Sequence, residues 1–126
     1  MGILESATPA IVICTSDRDR ATAFYRDTLG LVLTREDRFA AVFTTGGVTL
    51  RLSLVADFTP HEHTILGFVV QDVKATVKAL REQGVTFNVY PGFSQDELGI
   101  LSLPAGAGHV AWFTDPDGNV LSVTNH

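Results

Sequence analysis

The sequence predicts an α+β fold built from one β-α-β-β-β module written twice. Three observations carry this reading. The segment Ala41-Val42-Phe43-Thr44 recurs as Ala111-Trp112-Phe113-Thr114. Each copy runs through a glycine-bearing turn, Thr45-Gly46-Gly47 or Asp115-Pro116-Asp117-Gly118, into a second apolar strand. Each hairpin also follows an amphipathic helix that stops at a Gly-hydrophobic pair, Gly30-Leu31 or Gly84-Val85. A site built between two such halves should draw on matching positions in both.

The elements follow in order. Pro9–Thr15 is a short, β-branched apolar run and reads as a buried strand. Ser16 is the expected N-cap of the first helix, with Asp19 three residues on as a weak capping box. That helix runs to about Leu29, its apolar stripe supplied by Ala21, Phe24, Tyr25, Thr28 and Leu29, and Gly30 closes it. Leu31–Arg35 and Phe39–Thr44 read as strands around the polar turn Glu36-Asp37-Arg38. Gly46-Gly47 marks a tight hairpin because both residues can take positive φ. The following strand, Val48–Leu54, is polar at 49, 51 and 53 and apolar at the even positions, so one face is core and the other is not. In the second half Thr64–Val70 is a strand. Asp72 caps a helix with Val73, Val77 and Leu80 buried. Val85–Tyr90 alternates as a strand, and Leu98–Leu103 allows a further short one. His109–Thr114 and Asn119–Thr124 form the last hairpin, whose Pro and Gly each preset a turn dihedral. The expected organisation is a single domain over 1–126: module one at about 8–55, a Pro60-bearing linker at about 56–63, and module two at about 64–125.

A chain of 126 residues, 45% apolar and 18% charged, is long enough to bury roughly two thirds of its unfolded surface. The net charge of −5 argues against nucleic-acid or anionic-membrane partners. No apolar run reaches the roughly 20 residues that span a bilayer, and Met1–Thr8 lacks the basic region and apolar core of a secretory signal, so none is expected. The lone Cys14 cannot form an internal disulfide, which together with the expected lack of a signal points to a reducing cytoplasm, and its apolar run suggests a buried, inert thiol.

Ala23-Phe24-Tyr25-Arg26-Asp27-Thr28-Leu29-Gly30-Leu31 resembles the helix-end signature of the vicinal oxygen chelate superfamily. That superfamily includes glyoxalase I, extradiol dioxygenases, fosfomycin resistance enzymes and bleomycin resistance proteins. Phe113-Thr114-Asp115-Pro116-Asp117-Gly118-Asn119-Val120 is similar to its C-terminal hairpin, and with the repeat the resemblance covers essentially the whole chain. It implies paired βαβββ modules whose curled mixed sheets form a cup, commonly in a homodimer. It also implies four metal-ligand positions, falling here at about Ala10, Arg51, Ile65 and Ser122. None of these is an imidazole or carboxylate, and a guanidinium repels a cation. The family's metal and cofactors are therefore not expected.

Arg51 carries the most weight among candidate ligand-binding residues. On a polar strand face it either lines the cup, offering a fork suited to an anionic group, or points to solvent or a partner chain. Ser53 shares its face, and Ser122 occupies the matching position in the second module. Trp112 either stacks on a planar ligand or packs in the core, and Tyr90 begins a long loop, Tyr90–Glu97, that is either a lid or a plain connection. His109, on the opposite strand face from Trp112, is the candidate proton-exchanging group outside the linker and the terminus. His61-Glu62-His63 is read as an exposed linker cluster, with a relocated metal site as the alternative. The leading expectation is a metal-free protein that binds a small organic molecule, sequestering a drug-like compound or metabolite, as a cytoplasmic homodimer. The alternative is a lyase, isomerase or transferase of the same superfamily. Its base would be His109 or a loop acid at 96–97, or its metal would sit on His61 and His63.

Overall fold

The structure, a computed structural model, describes residues 2–126. The chain divides into two compact units, Met1–Phe58 and Thr59–His126, with the division inside the expected linker. Each unit holds one four-stranded mixed sheet with a helix on one face.

In the first unit the strands are β1 (Ala10–Thr15), β2 (Val32–Glu36), β3 (Ala40–Thr45) and β4 (Val48–Leu54). Their order across the sheet is β1-β4-β3-β2. β1 runs parallel to β4 and the other pairs are antiparallel. The β3–β4 turn has positive φ at both Gly46 (55°) and Gly47 (77°), a twist that suits a two-residue hairpin and that a Cβ would strain. The repeat's Phe43, with Leu50, Leu52 and Ile13, is fully buried against Ala21 and Tyr25. The Tyr25 and Phe43 rings lie 6.2 Å apart.

The first helix departs from expectation at both ends. Asp17, not Ser16, is the N-cap: its carboxylate accepts from the Arg20 N–H at 3.1 Å. Asp17 is extended there, and its own N–H is taken by the Thr15 hydroxyl. The helix α1 (Arg18–Ala23) then widens into a π-helical segment over Phe24–Thr28, where the Leu29 N–H donates to the Phe24 carbonyl. The wider turn breaks the 3.6-residue stripe. Ala21, Thr22 and Tyr25 are the buried residues, and Phe24, Thr28 and Leu29 are only half-buried.

The second unit repeats the plan: β5 (Thr64–Val69), α2 (Val73–Glu82), β6 (Leu101–Ser102), β7 (His109–Thr114) and β8 (Val120–Thr124). The sheet order is β5-β8-β7-β6. Asp72 caps α2 as expected, accepting from the Ala75 N–H at 2.9 Å. Val73 and Val77 are buried, while Leu80 is half-buried. The β7–β8 turn is locked from inside. Buried Asp115 accepts from the Asp117 and Asn119 N–H groups and from the Asn119 side-chain amide at 2.8 Å. Such a satisfied network costs little to bury. Gly118 (φ 92°) is required twice over, since a Cβ there would stand 3.2 Å from Pro60 of the linker.

Val85–Tyr90 does not form the expected strand. Val85 and Phe87 are buried and Thr86 is exposed, so the alternation is present. Yet its backbone pairing with β7 is limited to the Phe87–Phe113 bridge and the Asn88 N–H donated to the Trp112 carbonyl. Farther along the same edge of β7, Leu101 and Ser102 pair with Val110 and His109. One edge strand is thus split in two, and the chain from Val89 to Ile100 makes an excursion between the halves. Proline at 91 cannot donate to a ladder, which helps explain the break.

The cores make a first test. Phe43→Ala and Phe113→Ala should each destabilise by about 3–5 kcal/mol, the usual cost of an excavated buried phenylalanine. Exposed Phe39→Ala should cost far less. Urea unfolding of the three variants checks this order.

Candidate functional site

Side chains on a strand alternate between faces, so cross-strand pairing shows which residues look the same way. In the first unit Ile13, Leu52 and Ala41 form one paired row, on the helix side. Val12, Arg51 and Val42 form the next, on the face without a helix, and Cys14, Ser53 and Ala40 lie alongside. Arg51 and Ser53 are therefore neighbours on one face, as the alternation implied. Val12 beside Arg51 is 59% exposed, an apolar surface next to a fixed positive charge.

The outer strand β2 is broken by a bulge. Leu33 pairs with Phe43, but it is Arg35, not Thr34, that pairs with Val42. The Thr34 hydroxyl donates to the Val42 carbonyl at 3.0 Å. An inserted residue turns every following side chain to the other face. Arg35 is turned toward Arg51's face, and Glu36 toward the helix side, where it pairs with Arg18. Arg35 was not visible as a site residue, because nothing in the sequence marks the bulge. Asp37 in the adjoining turn accepts from the Phe39 and Ala40 N–H groups. These bonds hold its carboxyl below the usual aspartate range, and the Arg51 and Arg35 charges add to the effect.

The second unit breaks its edge at the equivalent place, after Phe87, with a whole loop in place of one bulged residue. Trp112, Ser122 and Gly67 form the row on its helix-free face. The loop lays aromatic rings on Trp112: Tyr90 edge-on at 5.4 Å and Phe93 stacked at 5.7 Å. Phe93, absent from the sequence-based candidates, is 51% exposed. Gln95 fastens the loop, accepting from the Tyr90 N–H at 2.7 Å and donating to the Asn88 and Gly99 carbonyls. Ser122 is buried, and a Cβ on Gly67 would come within 3.0 Å of its hydroxyl.

His109 is not brought to this surface. It lies on the other face, in a groove of about 360 Å³ beside the start of α2, with Asp72, Lys74 and Asp96 among its lining. Asp96 is occupied by the Leu98 and Ile100 N–H groups. His61, Glu62 and His63 are exposed, and the two imidazoles stack at 4.9 Å. His61 and Glu62 border a groove of about 570 Å³ that also reaches Tyr90, Pro60 and Val120. Among the described residues there is no group of three or more His, Cys, Asp or Glu able to hold a metal ion. Nor do the four positions implied by the resemblance fit a metal. The residue paired with Arg51 on β1 is Val12 rather than Ala10, and that paired with Ser122 on β5 is Gly67 rather than Ile65. None of these six is a carboxylate or imidazole.

The profile of the Glyoxalase/Bleomycin resistance protein/Dioxygenase superfamily matches residues 8–123. The chain belongs to that superfamily. Its fold recurs in lactoylglutathione lyase from Agrobacterium tumefaciens, at 22% identity and TM-score 0.72, covering 94% of this chain and 92% of that one. It recurs likewise in the fosfomycin resistance protein FosX from Listeria monocytogenes, at 15% identity and TM-score 0.73, with 94% and 92% covered. A glyoxalase-family protein from Bacillus anthracis matches at 16% identity and TM-score 0.73 over 98% of both chains. At these identities the likeness establishes the fold. One scaffold hosts many chemistries, so the site residues decide function. Among the described residues, no helix is long and apolar enough to cross a membrane.

Asp37 offers a test of the local electrostatics. A carboxyl whose folded pKa lies below its unfolded value adds stability above the unfolded pKa, lost as pH falls through the folded one. Asp37→Asn keeps the acceptor and removes the charge. Its urea midpoint should fall less steeply than wild type between about pH 5 and pH 2.

Proposed function

We propose that this protein is a metal-free binder of a small organic molecule, sequestering a drug-like compound or metabolite in the cytoplasm as a homodimer. The observation that carries the proposal is the aromatic cluster of Tyr90, Phe93 and Trp112 on a helix-free sheet face. Aromatic faces recognise planar ligands by stacking, and offset or edge-on contacts each contribute about 0.5–1.5 kcal/mol beyond area burial. Phe93 is half exposed over Trp112, so a planar compound can take its place against the indole by displacing one ring. The loop that carries Phe93 is fastened at Gln95 and bends at Gly92 (φ 91°), where the Phe93 N–H donates to the Tyr90 carbonyl.

Binding rather than turnover is favoured by where the proton-transfer groups stand. General acid–base catalysis needs a group within hydrogen-bond reach of the reacting atom. His109 is on the opposite face from Trp112, and Asp96 is committed to its own loop. Homodimer and cytoplasm rest on the family resemblance and on the single cysteine.

The test uses tag-free protein and a panel of planar aromatic compounds. Trp112 is the sole tryptophan, so its fluorescence reports this surface alone. Binding should quench it and raise the melting temperature. Trp112→Ala should weaken affinity by about threefold to tenfold, the span of one stacking contact. Metal content should stay well below one equivalent, and chelator should leave affinity unchanged. Stoichiometric metal lost in a His61→Ala/His63→Ala variant would overturn the reading, as would a panel that leaves both signals unmoved.

A further inference from the structure

The guanidiniums of the first unit divide sharply by partner. Arg18 bonds Asp19 and Glu36, Arg26 bonds Asp27 through two contacts, and Arg38 lies over the Phe39 ring at 4.8 Å. Arg20 also has a partner. Among the described residues, Arg35 and Arg51 alone in this unit make no hydrogen bond, ion pair or ring contact. They are also the two that share a face, in one cross-strand row on either side of Val42. The one-residue bulge at Thr34 is what turns Arg35 there.

We propose that Arg35 and Arg51 form a two-pronged site for the oxyanion group of a small molecule, a carboxylate, sulfonate or phosphate. Two strand spacings, with β3 between, separate their backbones by about 10 Å, and both side chains are long enough to close on one group from its two sides. Guanidinium forks match the planar geometry of such oxyanions and bond them in pairs. Val42, 7% exposed between them, and the apolar Val12 form the floor of this face. Two like charges held on one face repel until an anion joins them. Asp37, whose carboxyl feels both, offsets only one of the two. The site rests on the small-molecule reading and deepens it by giving the first unit's helix-free face a ligand class of its own. It also places a permanent cation where the superfamily resemblance implies a metal ligand.

The Arg Nε–Hε NMR signals test this directly, with benzoate and inorganic phosphate as probes and benzamide as the uncharged control, at constant ionic strength. The Arg35 and Arg51 signals should shift together along one binding curve, with dissociation constants in the millimolar range or tighter. Benzamide should move neither. Arg35→Gln and Arg51→Gln should each weaken binding about tenfold, one charge-assisted bond pair. Asp37→Asn should tighten it by a few-fold. Preference for benzoate would identify a carboxylate ligand, and preference for phosphate a phosphorylated one. Signals that stay still up to about 50 mM, a shift at only one arginine, or equal shifts at Arg20 and Arg81 would overturn the site. The Trp112 fluorescence response is independent of these signals, so failure here and failure of the aromatic surface are told apart.

Discussion

The Asp115–Asn119 bonds and the paired positive-φ glycines at 46 and 47 fix the register of the two central hairpins, and register decides what each sheet face contains. A strand residue has two directions available, and a slip of one position exchanges them. Because the β3–β4 pairing sets Leu50 and Leu52 against the helix, Thr49, Arg51 and Ser53 must look the other way. The β7–β8 pairing does the same for Leu121 and Val123, which leaves Ser122 beside Trp112. Helix packing on one face thus selects, by geometry alone, the residues that look out from the other.

The two units then diverge at a shared point. After Leu33 and Phe87, equivalent positions in the repeat, the edge strand cannot continue in simple register. The first unit absorbs the break with one bulged residue, Thr34, and presents Arg35. The second unit absorbs it with the excursion from Val89 to Ile100, and presents Tyr90 and Phe93. One duplicated scaffold has been fitted with a charged face and an aromatic face by altering the same edge. Edges are where sheets tolerate such changes, since only one side of the ladder is lost. The central strands, paired on both sides, keep the repeat nearly intact.

Much of this was legible in the sequence because hairpin chemistry and strand alternation are local. The A-x-F-T repeat, the turns after it, the Asp72 cap and the two faces of Val48–Leu54 all rest on residues within a few positions of one another. The features that escaped are set by pairing or by competition between near-equal local options. Asp17 and Ser16 both cap well, and the Thr15 hydroxyl bond to the Asp17 N–H favours Asp17. The π-helical segment at Phe24–Thr28 breaks a stripe that α spacing describes well. Val85–Tyr90 has the burial pattern of a strand without its ladder. Arg35 alternates toward the helix side on paper, and only the bulge against Val42 turns it over. Phe93 sits in a loop whose fold depends on Gln95, seven residues from the carbonyl of Asn88 that it bonds.

The central claim is that the helix-free faces, and not the grooves on the helix side, are the working surfaces. Amide chemical-shift mapping with the tightest-binding compound tests it most directly. The account expects the largest shifts at Trp112, Tyr90–Gln95 and Ser122, with the Trp112 indole N–H among them. Shifts confined to Asp72, Lys74, Asp96 and His109, with Trp112 unmoved, would contradict it and move function to the groove beside α2.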